Sequence, residues 1–168
     1  MKKYLVPLCF LIFLSGCSHL SVAHLPQKPL HPDQAEVVAL DFWDFHYLAK
    51  VTDDGYVVAG KALPNTRVWP GWAVWFQDLS LFAYLSDGQG IVLTRDRLSY
   101  PVQQMKPEGL GFSFTLPLAA ESSEETVFLT FGYRMTLTGS QFERPSFRGE
   151  TFSSEIDVFS AQQVALPR

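Results

Sequence analysis

Asp44 and His46 stand two residues apart in "WDFHY", a spacing that puts a carboxylate and an imidazole on one face of an extended chain. Hydrolysis through them would need a nucleophile within reach of the imidazole. No G-x-S-x-G turn supplies a serine. The pair therefore reads as the polar face opposite Trp43, Phe45 and Tyr47, and no catalytic residue is assigned. The run Gly55 to Ala62, "GYVVAGKA", follows a phosphate-loop pattern through Gly60 and Lys61 but ends in alanine, without the hydroxyl that holds magnesium. Its interior residues are strand formers, and Pro64 blocks the helix that should face the phosphate. It reads as a strand. Asp53, Asp54 and Asp87 lie in turn-forming stretches and are too few for a calcium cage of about six to eight oxygens. His19, His24 and His31 precede the body without thiol or carboxylate partners at ligand spacing, so no metal or cofactor is expected.

The aromatic residues carry a stronger signal. "RVWPGWAVW" brings Trp69, Trp72 and Trp75 together around a Pro-Gly turn. Loop tryptophans supply binding energy at interfaces, and their faces stack on sugar rings, so Trp69 and Trp72 are candidates for partner or glycan binding. The competing reading packs them as the closed end of a core. Phe82, Tyr84 and Phe128 fall on the outer faces of the strands expected below. Either Phe142, Phe147 and Phe152 cover them, or they form an apolar partner site.

Positioning begins at the N-terminus. Lys2 and Lys3 precede an apolar run from Tyr4 to Leu14, then Ser15, Gly16 and Cys17. Charge, apolar stretch and small residues in that order make a secretory signal, and the run is shorter than the roughly 20 residues of a membrane-spanning helix. "LSGC" at 14–17 resembles the lipobox of bacterial lipoproteins. The resemblance implies cleavage before Cys17, a diacylglyceryl thioether on its sulfur and acylation of the new amine. Such multiple chains anchor firmly where one would not. The other cysteine, Cys9, lies in the removed segment, which leaves no thiol for an internal disulfide. Ser18 in second place, where aspartate favours inner-membrane retention, implies the periplasmic side of the outer membrane in a Gram-negative host.

From Ser18 to Asp33 apolar periodicity is absent, and Pro26, Pro29 and Pro32 recur every third residue. The expectation is residues 1–16 as signal, 17–35 as a lipidated, flexible tether, and 36–168 as one domain. Extended, that tether would reach about 50 Å from the membrane. Loss of Lys2 and Lys3 takes the formal net charge from −4 to −6, and the chain has no cluster of Lys and Arg that would suggest nucleic acid.

The body reads as β. In "TVFLTFGYRMTL", Val127, Leu129, Phe131, Tyr133, Met135 and Leu137 alternate with Thr126, Phe128, Thr130, Gly132, Arg134 and Thr136. "LGFSFTL" repeats the pattern with Leu110, Phe112, Phe114 and Leu116 inward. Further strands are expected at 40–51, 56–63, 72–86, 91–97 and 156–159, separated by "TDDG", "LPN", "SDGQG", "KPEG" and "ESSEE". Asp87-Gly88 is expected to supply the positive φ of the tightest hairpin. About seven strands joined this way predict a single antiparallel, immunoglobulin-like β-sandwich. The order "VVAGKALPN", "LSLFAYLSDGQGIVL", "GFSFTL" and "TVFLTFGY" resembles the small sandwiches of FxLYD and LEA-type proteins, from which "TRVWPGW" and 138–154 depart. That family carries no fixed activity. The resulting expectation is a non-enzymatic, membrane-anchored envelope protein whose sandwich binds a protein partner, with glycan or peptidoglycan binding at Trp69 to Trp75 as the alternative.

Overall fold

The computed structural model describes residues 19–118, 126–141 and 158–168. The strands are β1 (Leu20–Ser21), β2 (Lys28–Pro29), β3 (Ala35–Ala39), β4 (Trp43–Thr52), β5 (Gly55–Pro64), β6 (Trp75–Ser86), β7 (Val92–Tyr100), β8 (Gln103–Gln104), β9 (Leu110–Pro117), β10 (Phe128–Thr138), β11 (Val158–Gln163) and β12 (Leu166–Pro167). One sheet runs β3-β4-β5-β9 and the other β11-β10-β6-β7. All pairings among them are antiparallel. In immunoglobulin terms β4, β5 and β9 take the A, B and E positions, and β6, β10 and β11 take C, F and G. β7 lies beside β6 rather than beside β9. The expected all-β sandwich is the fold.

The alternation read in the sequence is what buries the core. Phe112, Phe114 and Leu116 of β9 face Leu129, Phe131 and Tyr133 of β10 across the two sheets, all buried. Phe76 and Leu79 both point inward although two residues, rather than one, stand between them. A bulge where β6 passes Thr136 and Leu137 of β10 absorbs the extra residue and restores the phase.

Two expected elements change. The strand foreseen at 40–51 is broken: Leu40 N–H donates to Trp43 C=O at 2.8 Å, which makes 40–43 the turn of a β3–β4 hairpin. In "SDGQG" the positive φ sits at Gly90 (77°), not Gly88. The Asp87 carboxylate accepts from the N–H groups of Gln89 and Ile91 at 2.8 and 2.9 Å, a local turn that hands the left-handed step to the second glycine.

The segment expected as a free spacer is docked. Leu20–Ser21 pairs with Leu166–Pro167, Lys28–Pro29 pairs with Phe128–Leu129, and Val22 N–H donates to Gly90 C=O at 2.8 Å. Val22, Leu25 and Leu30 are buried. A stretch without helical or strand periodicity still carries apolar side chains, and removing each from water stabilises by about 1.5–3 kcal/mol, enough to hold an otherwise extended segment on the body.

Candidate functional site

The Pro-Gly turn forms, with Ala73 N–H donating to Pro70 C=O at 3.0 Å, but its tryptophans face inward. Trp69 is only 8% exposed. Its ring lies edge-on to Trp43 and Phe76, at 5.6 and 5.7 Å between centroids. Trp72 is half-buried against the same core. Trp69 thus packs at the closed end of the sandwich, the competing reading of this turn, while Trp72 keeps partial exposure. The indole N–H groups of Trp43 and Trp69 are buried without an acceptor among the described residues.

Phe82, Tyr84 and Phe128 do lie on the outer face of the second sheet, as expected. Phe142, Phe147 and Phe152, named as their cover, lie outside the described residues. The cover present comes from the two ends of the chain. Val22 and Leu25 bury Tyr84 to 2% exposure, and Phe82, Val92 and Ala165 pack around them. Phe82 stacks on Tyr84 at 6.1 Å, while Phe128 is half-buried beside Pro29. The Tyr84 hydroxyl accepts from Ala165 N–H at 3.3 Å. Burial pushes the Tyr84 phenol up, opposed by that hydrogen bond and by the charges of Arg95 and Arg134. Gly132 makes the arrangement possible: a Cβ there would stand 2.6 Å from Gln163 C=O, where the chain crosses the sheet toward Tyr84. Tyr84 is thus withdrawn as a contact residue, and Phe82 and Phe128 keep only partial exposure.

The other sequence candidates separate. His46 is exposed and Asp44 half-exposed on β4, opposite the buried Trp43, Phe45 and Tyr47. Gly55 to Ala62 is continuous β5 strand. Among the described residues no group of three or more His, Cys, Asp or Glu could hold a metal ion. Cys17 lies outside the described residues. One histidine does find a carboxylate that the sequence reading did not pair with it: His31 Nδ1 lies 3.1 Å from Glu36 Oε1, while Tyr47 donates to Glu36 Oε2 at 2.6 Å.

The Tyr47 hydrogen bond holds the Glu36 carboxyl below the usual glutamate value, against the opposing effect of burial, with His31 and Lys28 helping. A carboxyl depressed in the folded state stabilises the fold above its ordinary pKa, and that contribution is lost as pH falls through the depressed value. Tyr47→Phe is therefore expected to cost about 1–2 kcal/mol at pH 7. The gap from wild type should close as the solution is acidified below the ordinary glutamate pKa of about 4.3. Urea melts of both proteins between neutral and acid pH check this, and a pH-independent gap would refute it.

The sequence reading did not find the seam between β7 and β9. Thr115 N–H donates to Asp96 Oδ2 at 2.8 Å, and the Tyr100 hydroxyl donates to Gly111 C=O at 2.9 Å. Both bonds use groups on the edge of β9 away from β5. Backbone groups two residues apart in a strand point the same way, so Ser113 between them directs its N–H and C=O outward. Neither has a partner among the described residues. The edge opens on a groove of about 640 Å³ lined by Leu98, Ser99, Tyr100, Gly111, Phe112 and Ser113. The opposite side of the sandwich is closed by a paired contact, Gln163 Nε2 donating to Asp41 Oδ2 at 2.8 Å beside the Phe42–Phe159 rings. Comparison with protein-family models, with curated proteins and with solved structures gives no match to this chain.

Proposed function

We propose that this chain is a non-enzymatic, lipid-anchored protein of the bacterial cell envelope, attached through Cys17, whose sandwich takes an extended strand of a protein partner onto the edge of β9. In a Gram-negative host, Ser18 favours the periplasmic side of the outer membrane. The observation that carries the binding mode is Ser113: an outward donor and acceptor on a strand edge unpaired among the described residues, beside an open groove lined by Leu98, Tyr100 and Phe112. Strand addition uses such backbone groups for affinity and neighbouring hollows for alternate side chains. Asp96 and Tyr100 occupy the flanking backbone groups, which limits the length of edge a partner can pair with and discourages indiscriminate sheet extension.

Ser113→Pro tests the mode. Proline is tolerated where a strand's N–H faces away from its neighbour, so the melting transition should shift by no more than about 1 kcal/mol. Crosslinking of the chain in its own envelope should lose the partner captured by wild type. An unchanged adduct would remove the β9 edge from the account. Intact mass of the same preparations reads the anchor, with acyl groups on Cys17 and residues 1–16 missing.

A further inference from the structure

The docked N-terminal segment and the face beneath it bear on how an anchored domain would sit. Arg95, Arg97 and Arg134 are exposed on the outer face of the second sheet. Arg97 is directly opposite Phe82, Arg95 opposite Tyr84, and Arg134 opposite Ser80 from the other side of β6. Strand spacing puts Arg134 about 12 Å from Arg97, two strands across and two residues along, and Arg95 about 7 Å from Arg97 along β7. Arg97 is held in place: Nη2 donates to Ser80 Oγ at 3.0 Å, Nε donates to Ser99 Oγ at 3.1 Å, and the guanidinium lies 5.7 Å from the centre of the Phe82 ring.

Among the described residues none of the three has a carboxylate within ion-pair distance. Among the described residues the one ion pair within 4 Å is His31–Glu36. Asp96, the nearest acid in sequence, turns to β9, and Asp78 on the same face lies beyond Ser80 without pairing. A chain of formal net charge −4 has thus gathered three guanidinium groups on one face, with no paired carboxylate among the described residues.

The same face receives the N-terminal segment. Val22 and Leu25 pack on Tyr84, and Arg168 N–H donates to His19 C=O at 2.8 Å, fixing the first described residue. Only Ser18 separates His19 from Cys17, and two peptide steps reach at most about 7 Å. A lipid on Cys17 would bring the bilayer surface to the edge of this face, not to the far end of a spacer.

We propose that the outer face of β6, β7 and β10 binds the phosphates of anionic membrane lipids through Arg95, Arg97 and Arg134, so that the anchored domain lies against the bilayer. The placement of the membrane rests on the reading of Cys17 as its anchor. Guanidinium groups pair with phosphate in fork geometry, and a surface of anionic lipid attracts each basic residue independently of sequence. Lying down on this face leaves the β9 edge free at the side of the sandwich for a partner.

The test labels arginines with phenylglyoxal in the full chain as produced. The protein is reconstituted in phosphatidylcholine vesicles with or without phosphatidylglycerol, and labelling is read by peptide mass. Anionic vesicles should slow labelling of Arg95, Arg97 and Arg134 on the order of fivefold, the factor equivalent to about 1 kcal/mol per basic residue at such a surface. High salt should remove the protection. Arg67, exposed in the short turn at Thr66–Val68, should label equally in both vesicles. Equal labelling of the three arginines in both vesicles overturns the inference, as does equal protection by neutral vesicles. Protection by inorganic phosphate alone to the same extent also overturns it, assigning the face to a small anion. Intact mass separates this result from the anchor: protection with Cys17 unmodified keeps the lipid-binding face and removes the anchor, and acylated Cys17 without protection does the reverse.

Discussion

Phe131→Ala will destabilise the sandwich by about 3–5 kcal/mol, the cost of truncating a buried phenylalanine when its surroundings relax only in part. Phe131 is fully buried at the middle of β10. Its ring lies 4.5 Å from Phe45 at an interplanar angle of 5°, and 5.2 and 5.6 Å from Tyr47 and Phe112. All three neighbours belong to the opposite sheet, so the ring is a contact between sheets and not within one. A domain of ordinary stability has about 5–15 kcal/mol in all, and the described residues contain no cysteine to cross-link them. Chemical denaturation should show the midpoint falling sharply with an unchanged slope. A loss below about 1 kcal/mol would mean that the rings do not pack as described.

Trp69→Ala should cost a similar amount, about 3–5 kcal/mol, whereas Trp72→Ala, at a half-buried position, should cost distinctly less. The contrast decides between packing and binding at this turn. A ring that served a ligand would leave stability nearly unchanged when removed and would abolish capture instead. Trp69→Phe sharpens the comparison. It keeps an aromatic ring against Trp43 and Phe76 and removes an indole N–H that is buried without an acceptor, a group whose desolvation costs about 1–3 kcal/mol. Phenylalanine should therefore recover much of what alanine loses. Equal melting of wild type and Trp69→Ala would return the turn to the list of binding surfaces.

The strands were legible because large apolar residues alternate with small or polar ones along them. In β9, Leu110, Phe112, Phe114 and Leu116 are all buried and the residues between them exposed, the period read from the letters alone. β10 was legible by its alternation with Thr and Gly even though Thr130, Gly132 and Thr138 on its other face are buried too, and the turns at Asp53-Asp54 and at Gly109, whose φ is 79°, were legible from their turn residues. β3 was not, since "AEVVA" is short and only Val38 of its residues is fully buried. The hairpin at 40–43 was hidden because Leu40 and Phe42 are apolar, and hydrophobicity cannot mark a turn built from residues that pack.

What the letters determined about this protein is local: the LSGC stretch at 14–17 and the alternation that makes a sandwich. Tertiary structure alone decided what covers what. Tyr84 is buried by residues 22, 25 and 165, which come from both ends of the chain, and only the sheet brings them together. Trp69 has the composition of a binding loop, yet it is core because Trp43 and Phe76 stand beneath it. The open edge at Ser113 and the triangle of Arg95, Arg97 and Arg134 likewise depend on which strands are neighbours. Periodicity reports whether a residue faces in or out of its own element. Which surface then meets it is set by contacts between residues far apart in sequence, and these leave no mark on the local pattern.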